Sequence, residues 1–178
     1  MQKNDMKKIV LSLAALLLVG GGCAAKDTSE SGAVGVRVGD MAPAFDVQTV
    51  DGSFSLEQKM GGVVVMTSMA SWCPTCMVEA KQLALAASQL PSDGVSFLSI
   101  SIDPTDDAAK INVFREDQNT PWDYAGLFSD EAVQRLIIDY KMTQREKTYV
   151  IGPDGIIVYT DGGISVADKI VDAVNSAL

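Results

Sequence analysis

Two hydrophobic patterns alternate along this chain from residue 36 onward. Short runs rich in β-branched and aromatic residues are separated by longer segments whose apolar residues recur at helical spacing. GVVVMTSM at 62–69 and VSFLSISI at 95–102 are largely apolar runs of strand length. Such runs are typical of strands buried on both faces, so we predict two central strands here.

Turn signals predict two β-hairpins, one before these strands and one after them. The dipeptide DG at 51–52 and the tripeptide PDG at 153–155 each stand between two β-rich runs. The paired strands are predicted at 45–50 with 53–56 and at 148–152 with 156–160.

Helical periodicity predicts four helices, at 74–90, 106–116, 132–140 and 165–177. Ser129 with Glu131 predicts the cap of the third helix. Strand, helix, strand and helix followed by a hairpin and a helix imply a right-handed βαβ crossover joined to an antiparallel ββα unit. The predicted fold class is therefore α/β, a mixed sheet flanked by helices, in one domain at 36–178.

Composition narrows the classes of function. The chain has 178 residues, of which 47% are hydrophobic, which suits one globular core. Its formal charge of −9 argues against nucleic acid as a partner, since phosphate binding depends on clustered Lys and Arg. The chain contains no histidine, which excludes mechanisms that use an imidazole base or His-ligated metal. Cysteine and carboxylate chemistry remains.

The first residues are predicted to be a targeting segment. Lys3, Lys7 and Lys8 precede an apolar or small run at 9–22, the pattern of a secretory signal peptide at 1–22. The run is shorter than the roughly 20 residues of a membrane span. It ends in VGGGC, which resembles the lipobox of bacterial lipoproteins, although Gly20 stands where the box usually has Leu. The resemblance implies a lipid anchor on Cys23; the alternative is a plain signal peptide that leaves Cys23 as a free thiol.

Residues 23–35 are small and polar after the anchor cysteine, and they are predicted to be a flexible tether. Export from the cytoplasm would place the folded domain where a disulfide can persist.

A Cys-x-x-Cys pair carries the clearest chemical signal. Cys73 is placed where a strand has ended and a helix begins, with Pro74 at the first helical position. A sulfur at a helix N-terminus faces unpaired N–H groups and the positive end of the helix dipole, and both stabilise a thiolate. We therefore expect Cys73 to be the attacking thiol and Cys76, one turn further, to be the resolving thiol.

Two other roles for the pair are weaker. A structural zinc site needs four ligands, and only Cys23 accompanies the pair in a chain without histidine. A purely structural disulfide closing so short a loop stabilises by only about 2 kcal/mol in the chain-entropy model.

The segment WCPTCMVE at 72–79 resembles the active site of thioredoxin-superfamily oxidoreductases, and specifically the extracytoplasmic TlpA/ResA branch. The leading hairpin and TYVIGPDGIIVYTDGG at 148–163 resemble the same branch and the neighbouring redoxins. The resemblance implies a thioredoxin-like fold with an added N-terminal hairpin and an extra helix before the last hairpin. It also implies that Glu79 is a partly buried carboxylate that relays a proton for Cys76.

The chain departs from that branch at a cis-proline, which the branch carries before its penultimate strand, facing the cysteines. Alignment of this strand puts Glu146 there. We predict a trans Arg145–Glu146 bond and a rearranged loop, because a non-proline cis bond costs about 2.5–4 kcal/mol. The Glu146 carboxylate would lie beside the cysteines, form a weak soft-metal site with them, or point into solvent. Candidate substrate-binding residues are Trp72, Pro74, Glu146 and Lys147.

The function expected from the resemblance is that of a membrane-tethered thiol-disulfide oxidoreductase. The resemblance implies that it acts as a reductase, and an oxidase is the alternative. Its implied partners are protein thiols and disulfides, a membrane electron donor, and lipid through Cys23. The only redox group expected is the Cys73–Cys76 disulfide, with no other cofactor and no resident metal.

A peroxiredoxin-like peroxidase would need Thr where Ala70 stands and a nearby Arg, for which Arg145 is the candidate. A Sco-like copper module would need Cys-x-x-x-Cys and a histidine.

Overall fold

A computed structural model describes residues 32–178. The predictions of a signal peptide at 1–22 and of a lipid anchor at Cys23 lie outside these residues. Within 32–178, no helix has the length and apolar character needed to cross a membrane.

Seven strands and five helices follow one another in this part of the chain. In order they are β1 (Asp46–Gln48), β2 (Ser53–Ser55), α1 (Leu56–Lys59), β3 (Val63–Met69), α2 (Pro74–Gln89), β4 (Val95–Ser101), α3 (Ala108–Gln118), β5 (Asp123–Gly126), α4 (Glu131–Asp139), β6 (Lys147–Ile151), β7 (Ile157–Gly162) and α5 (Ala167–Ala177).

Five strands form a central mixed sheet in the order β5-β4-β3-β6-β7. β3, β4 and β5 are parallel, whereas β6 pairs antiparallel with both β3 and β7. The predicted N-terminal hairpin forms a separate two-stranded sheet of β1 and β2. The predicted α/β class and the order of the predicted strands and helices are therefore confirmed, with α1 and β5 as additional elements.

The sheet is buried on both faces. One face packs on α2 and α5 through residues that include Val65, Leu83 and Ile170. The other face packs on α4 and the N-terminal hairpin through residues that include Met66, Leu136 and Phe54. Every residue of β3 is buried, as its continuous apolar run predicts.

Four details differ from the sequence prediction. The short helix α1 was not predicted, and it begins at Leu56, which was assigned to the second strand of the N-terminal hairpin. β5 was not predicted, because a four-residue edge strand is too short to show a period. Asp130, rather than Ser129, caps α4 by accepting the backbone N–H of Val133 at 3.0 Å. Gly35 and Ala33, at the end of the predicted tether, exchange backbone hydrogen bonds with Met41, so they join the folded domain.

Candidate active site

The Cys-x-x-Cys pair lies where the loop after β3 enters α2. Cys73 is the N-cap residue of α2, and Pro74 occupies its first turn, as predicted. The backbone N–H of Cys76 donates to Cys73 Sγ at 3.3 Å. Both thiols are free, so this is the dithiol form of the pair. The Cys73 sulfur therefore receives the stabilising contact that a helix N-terminus offers to a thiolate.

Accessible surface does not distinguish the two cysteines, because each is only 2% exposed. Their chemical surroundings do. Burial of Cys76, reinforced by its interaction with Cys73, raises the pKa of the Cys76 thiol above its ordinary value. Cys76 therefore remains protonated at neutral pH until a base removes its proton.

Glu146 covers the pair from the loop before β6. Its Oε1 atom lies 3.1 Å from Cys73 Sγ and 3.3 Å from Cys76 Sγ, and it also accepts a hydrogen bond from the Thr75 hydroxyl. Partial burial opposes ionisation of Glu146. The hydrogen bonds from Thr75 and the two thiols outweigh it and hold the pKa of this carboxyl below its usual value. The alternative in which the Glu146 carboxylate points into solvent is therefore wrong.

Ser68, at the end of β3, fixes the loop that carries Glu146. The backbone N–H of Glu146 donates to the Ser68 carbonyl at 2.8 Å, and the Ser68 hydroxyl donates to the Gln144 carbonyl at 2.8 Å. No peptide bond within 32–178 is cis, so the predicted trans bond before Glu146 is confirmed. Glu146 has φ 61°, a value that proline cannot adopt. The loop is therefore rearranged in a way that excludes proline here.

Glu79 lies beneath the pair, in α2, and is 1% exposed. Its carboxylate accepts hydrogen bonds from the Thr148 hydroxyl at 3.0 Å, the Ser165 backbone N–H at 3.1 Å and the Thr67 hydroxyl at 3.2 Å. Burial raises its pKa to about 7, against the effect of these hydrogen bonds. Burial of Glu79 agrees with the prediction. Among residues 32–178 its carboxylate has no direct hydrogen bond to either cysteine, and its part in proton relay stays a prediction.

The other predicted substrate-binding residues separate into two groups. Pro74 is exposed beside Cys73, and Trp72 is 53% exposed with its indole N–H donating to Asp103 at 2.8 Å. The Arg145 guanidinium lies over the Trp72 ring, 4.8 Å from its centroid. Lys147, in contrast, places its ammonium 4.9 Å from the centroid of the Tyr149 ring. This is the sheet face opposite α2, since the neighbouring Thr148 faces Glu79 and side chains alternate along a strand.

Sequence reasoning missed two polar residues that organise the site. The Thr75 hydroxyl lies 3.1 Å from Cys73 Sγ and donates to Glu146. Asp106 is 4% exposed and accepts the Ser71 backbone N–H at 2.9 Å and the Ser101 hydroxyl at 2.5 Å. Asp106 thereby ties the loop before Cys73 to the end of β4. The contacts of Thr75 with Glu146 and of Asp106 with Ser71 join segments far apart in the chain, and such contacts leave no local sequence signal.

The three donor atoms of the site form a compact group. The sulfurs of Cys73 and Cys76 and one carboxylate oxygen of Glu146 all lie within 4.8 Å of one another. Two thiols that share a helix turn can form a disulfide. An adjacent carboxylate can hold a proton that a thiol releases, and the three atoms together are a set of metal donors.

Comparison with protein families identifies the class to which this chain belongs. Residues 38–160 match the model of the AhpC/TSA family, and the chain is therefore a member of the AhpC/TSA family. No curated protein sequence matches the chain significantly.

Solved structures share the fold at low sequence identity. A thiol:disulfide interchange protein of the thioredoxin family from Chlorobium tepidum is 21% identical, with a TM-score of 0.67, over 81% of this chain and 99% of that one. A putative protein disulfide isomerase from Bacteroides thetaiotaomicron is 20% identical, with a TM-score of 0.67, over 80% and 91%. A secreted Mycobacterium tuberculosis disulfide oxidoreductase homologous to E. coli DsbE is 20% identical, with a TM-score of 0.61, over 74% and 95%. The predicted thioredoxin-like fold is thus confirmed.

Proposed function

We propose that this protein is an extracytoplasmic thiol-disulfide oxidoreductase that exchanges electrons with protein disulfides through Cys73 and Cys76. The observation that carries the proposal is the position of Cys73 at the N-terminus of α2, with its sulfur accepting the Cys76 N–H. The names of the structural neighbours from C. tepidum and M. tuberculosis support the same class of reaction.

The reaction proceeds in two exchanges. The Cys73 thiolate attacks one sulfur of a substrate disulfide, forms a mixed disulfide with it and releases the other substrate sulfur as a thiolate. The Cys76 thiolate then attacks the Cys73 sulfur, releases the second substrate thiolate and leaves a Cys73–Cys76 disulfide. The substrate gains two electrons, which a thiol donor must later return to the pair.

The second exchange needs a proton acceptor for Cys76. Glu146 is in direct contact with that thiol, with Oε1 3.3 Å from Sγ, and accepts its hydrogen bond. Glu79, one turn further along α2, carries a pKa of about 7 and exchanges a proton readily near neutral pH. We assign Glu146 as the first acceptor of the Cys76 proton. Glu79 is assigned as a second carboxyl that can take up the proton afterwards.

Substrates approach over the exposed surface beside Cys73. Trp72 and Pro74 provide an apolar surface there. The loop at 143–146 replaces the edge that the cis-proline shapes in the TlpA/ResA branch, so substrate recognition differs from that of the branch. Lys147 faces away from the pair and is not part of this surface in our proposal.

The protein acts, in this proposal, as a reductase held at a membrane by a lipid on Cys23 and supplied by a membrane electron donor. The lipobox resemblance, the polar segment that follows it and the secreted M. tuberculosis neighbour support this location. The direction is decided by the reduction potential of the pair. A value near the thioredoxin potential of about −270 mV indicates a reductase, and one near about −120 mV an oxidase.

A thiol peroxidase is the competing function from the sequence. Ala70 has no hydroxyl to bind a peroxide, and the guanidinium of Arg145 is engaged on Trp72. Disulfide exchange therefore has the better support.

One pair of assays separates the two functions. Reduced protein is given either insulin, whose disulfide reduction is followed by turbidity, or hydrogen peroxide, whose loss is followed directly. We expect insulin reduction that disappears in Cys73→Ser. Rapid peroxide loss without insulin reduction would contradict our proposal and show that the protein is a thiol peroxidase.

A further inference from the structure

We propose that the reduced pair and Glu146 form a binding site for a thiophilic d10 cation such as Zn2+, with two thiolates and one carboxylate as ligands. The proposal goes beyond disulfide exchange, since it requires only the dithiol form and no substrate. It corresponds to the soft-metal site, which the sequence left open as one of three alternatives for Glu146.

The spacing of the donor atoms fits a tetrahedral ion. Zn–S bonds of about 2.3 Å and Zn–O bonds of about 2.0 Å separate sulfur and oxygen ligands by about 3.5 Å in a tetrahedron. Glu146 Oε1 is 3.1 Å from Cys73 Sγ and 3.3 Å from Cys76 Sγ. Small side-chain movements therefore suffice to admit the ion.

The third ligand is held in place by the fold. The Glu146 N–H is bound to the Ser68 carbonyl at 2.8 Å, and the loop on both sides is hydrogen-bonded to the Ser68 side chain. The Thr75 hydroxyl donates to the same carboxylate oxygen and orients it. Such supporting contacts are a feature of metal sites, where they fix the ligands before the ion binds.

Charge favours a divalent cation in this site. Two thiolates and a carboxylate so close together would repel one another, and the two thiol protons that donate to Glu146 Oε1 prevent that repulsion. Zn2+ would replace these two protons, which pass to the solvent, and the complex of the three ligands would keep a single negative charge. Sulfur ligands select zinc or Cu(I) over magnesium and calcium, which prefer oxygen.

The protein supplies three ligands, which leaves the fourth position of a tetrahedral ion to solvent or to an incoming group. Pro74 and Thr75 are exposed, and Glu146 is half-buried at the edge of the site. Three protein ligands with one open position are typical of zinc that exchanges or reacts, rather than of a structural ion. Occupation would block disulfide exchange reversibly, because both sulfurs would be bound.

The test uses full-length protein carrying Cys23→Ser, so that only the pair supplies thiols. Zn2+ is titrated against a chromogenic chelator into reduced and into oxidised protein, with no disulfide substrate present. We expect one Zn2+ per reduced chain and none on the oxidised chain. Glu146→Gln should weaken binding at least about tenfold, whereas Glu57→Gln, an exposed control in α1, should leave it unchanged.

Two results would overturn the proposal: equal binding by reduced and oxidised protein, or the same affinity in Glu146→Gln as in the parent. If Glu146→Gln does not fold, Glu146→Asp decides, because it keeps the carboxylate and must bind Zn2+ within a few-fold of the parent. Insulin reduction by metal-free protein is measured separately, so failure of the metal site and failure of the proposed function are distinguishable.

Discussion

The Glu146 carboxylate accepts a hydrogen bond from the Cys73 thiol, with Oε1 and Sγ 3.1 Å apart. The two residues lie 73 positions apart in the chain and meet because β3 and β6 are paired neighbours in the sheet. The contact covers the sulfur and engages the thiol proton in a hydrogen bond. Glu146 is therefore expected to restrain the reactivity of Cys73.

Glu146→Ala should speed alkylation of Cys73 by iodoacetamide at pH 7 about tenfold. The substitution removes the cover and a hydrogen bond to a charged group, which contributes about 1.5–3 kcal/mol. Rates are measured by mass spectrometry of the modified peptide in a Cys76→Ser, Cys23→Ser background. Glu146→Gln keeps the cover and should have a smaller effect, and Glu57→Ala should have none. An unchanged rate in Glu146→Ala would show that Glu146 does not shield Cys73.

Glu79 should make the free energy of unfolding depend on pH. Its pKa is about 7 in the folded protein and 4.5 when unperturbed, so the folded state binds the proton more tightly. The stability from this group is fully present below about pH 4.5 and is lost as pH rises through 7, by about 3 kcal/mol. Urea unfolding of the parent and of Glu79→Gln, measured from pH 4.5 to 8, should show this change in the difference between them. A difference that stays constant with pH would contradict the raised pKa.

Asp106 should be a stabilising residue for the loop before Cys73. Asp106→Ala leaves the Ser71 N–H and the Ser101 hydroxyl without their acceptor, at a cost of about 3 kcal/mol. The loss is measured by urea unfolding, with the exposed Asp93→Ala as a matched control that should change stability by less than about 0.5 kcal/mol. If Asp106→Ala has the same free energy of unfolding as Asp93→Ala, Asp106 does not stabilise the loop before Cys73.

The general fold was predictable because its signals are local. Continuous apolar runs identified β3 and β4, and turn tripeptides or dipeptides identified both hairpins. The CxxC pair was placed at a helix start by Pro74 and by the end of the preceding strand. β5 escaped detection since it has four residues, and its strand character comes from pairing with β4 rather than from its own pattern.

The polar organisation of the site was only partly predictable. The resemblance singled out Glu146 at the position expected for a cis-proline, but its contact with both sulfurs depends on the Ser68 hydrogen bonds and on a positive φ. Thr75 and Asp106 gave no signal, since single hydroxyls and aspartates are common throughout protein sequences. The hydrogen bonds of Glu79 join α2 to β3, β6 and the start of α5, a set of contacts that only the folded chain brings together.

Membrane attachment should depend on Cys23. In cells that carry lipoprotein-processing enzymes, the parent protein should partition into the detergent phase of a Triton X-114 extraction, and Cys23→Ser should move to the aqueous phase. A fully hydrophilic parent protein would make the lipobox interpretation wrong and leave the plain signal peptide.

Cys73 is expected to attack the substrate disulfide and Cys76 to resolve the mixed disulfide. Disulfide trapping tests this order most directly. Cys76→Ser and Cys73→Ser, each with Cys23→Ser, are incubated in reduced form with an unfolded disulfide-bonded protein and analysed on non-reducing gels and by mass spectrometry. We predict that Cys76→Ser accumulates a mixed disulfide through Cys73, because no resolving thiol remains, and that Cys73→Ser accumulates none. A mixed disulfide through Cys76 in the Cys73→Ser protein, with none in Cys76→Ser, would contradict the account.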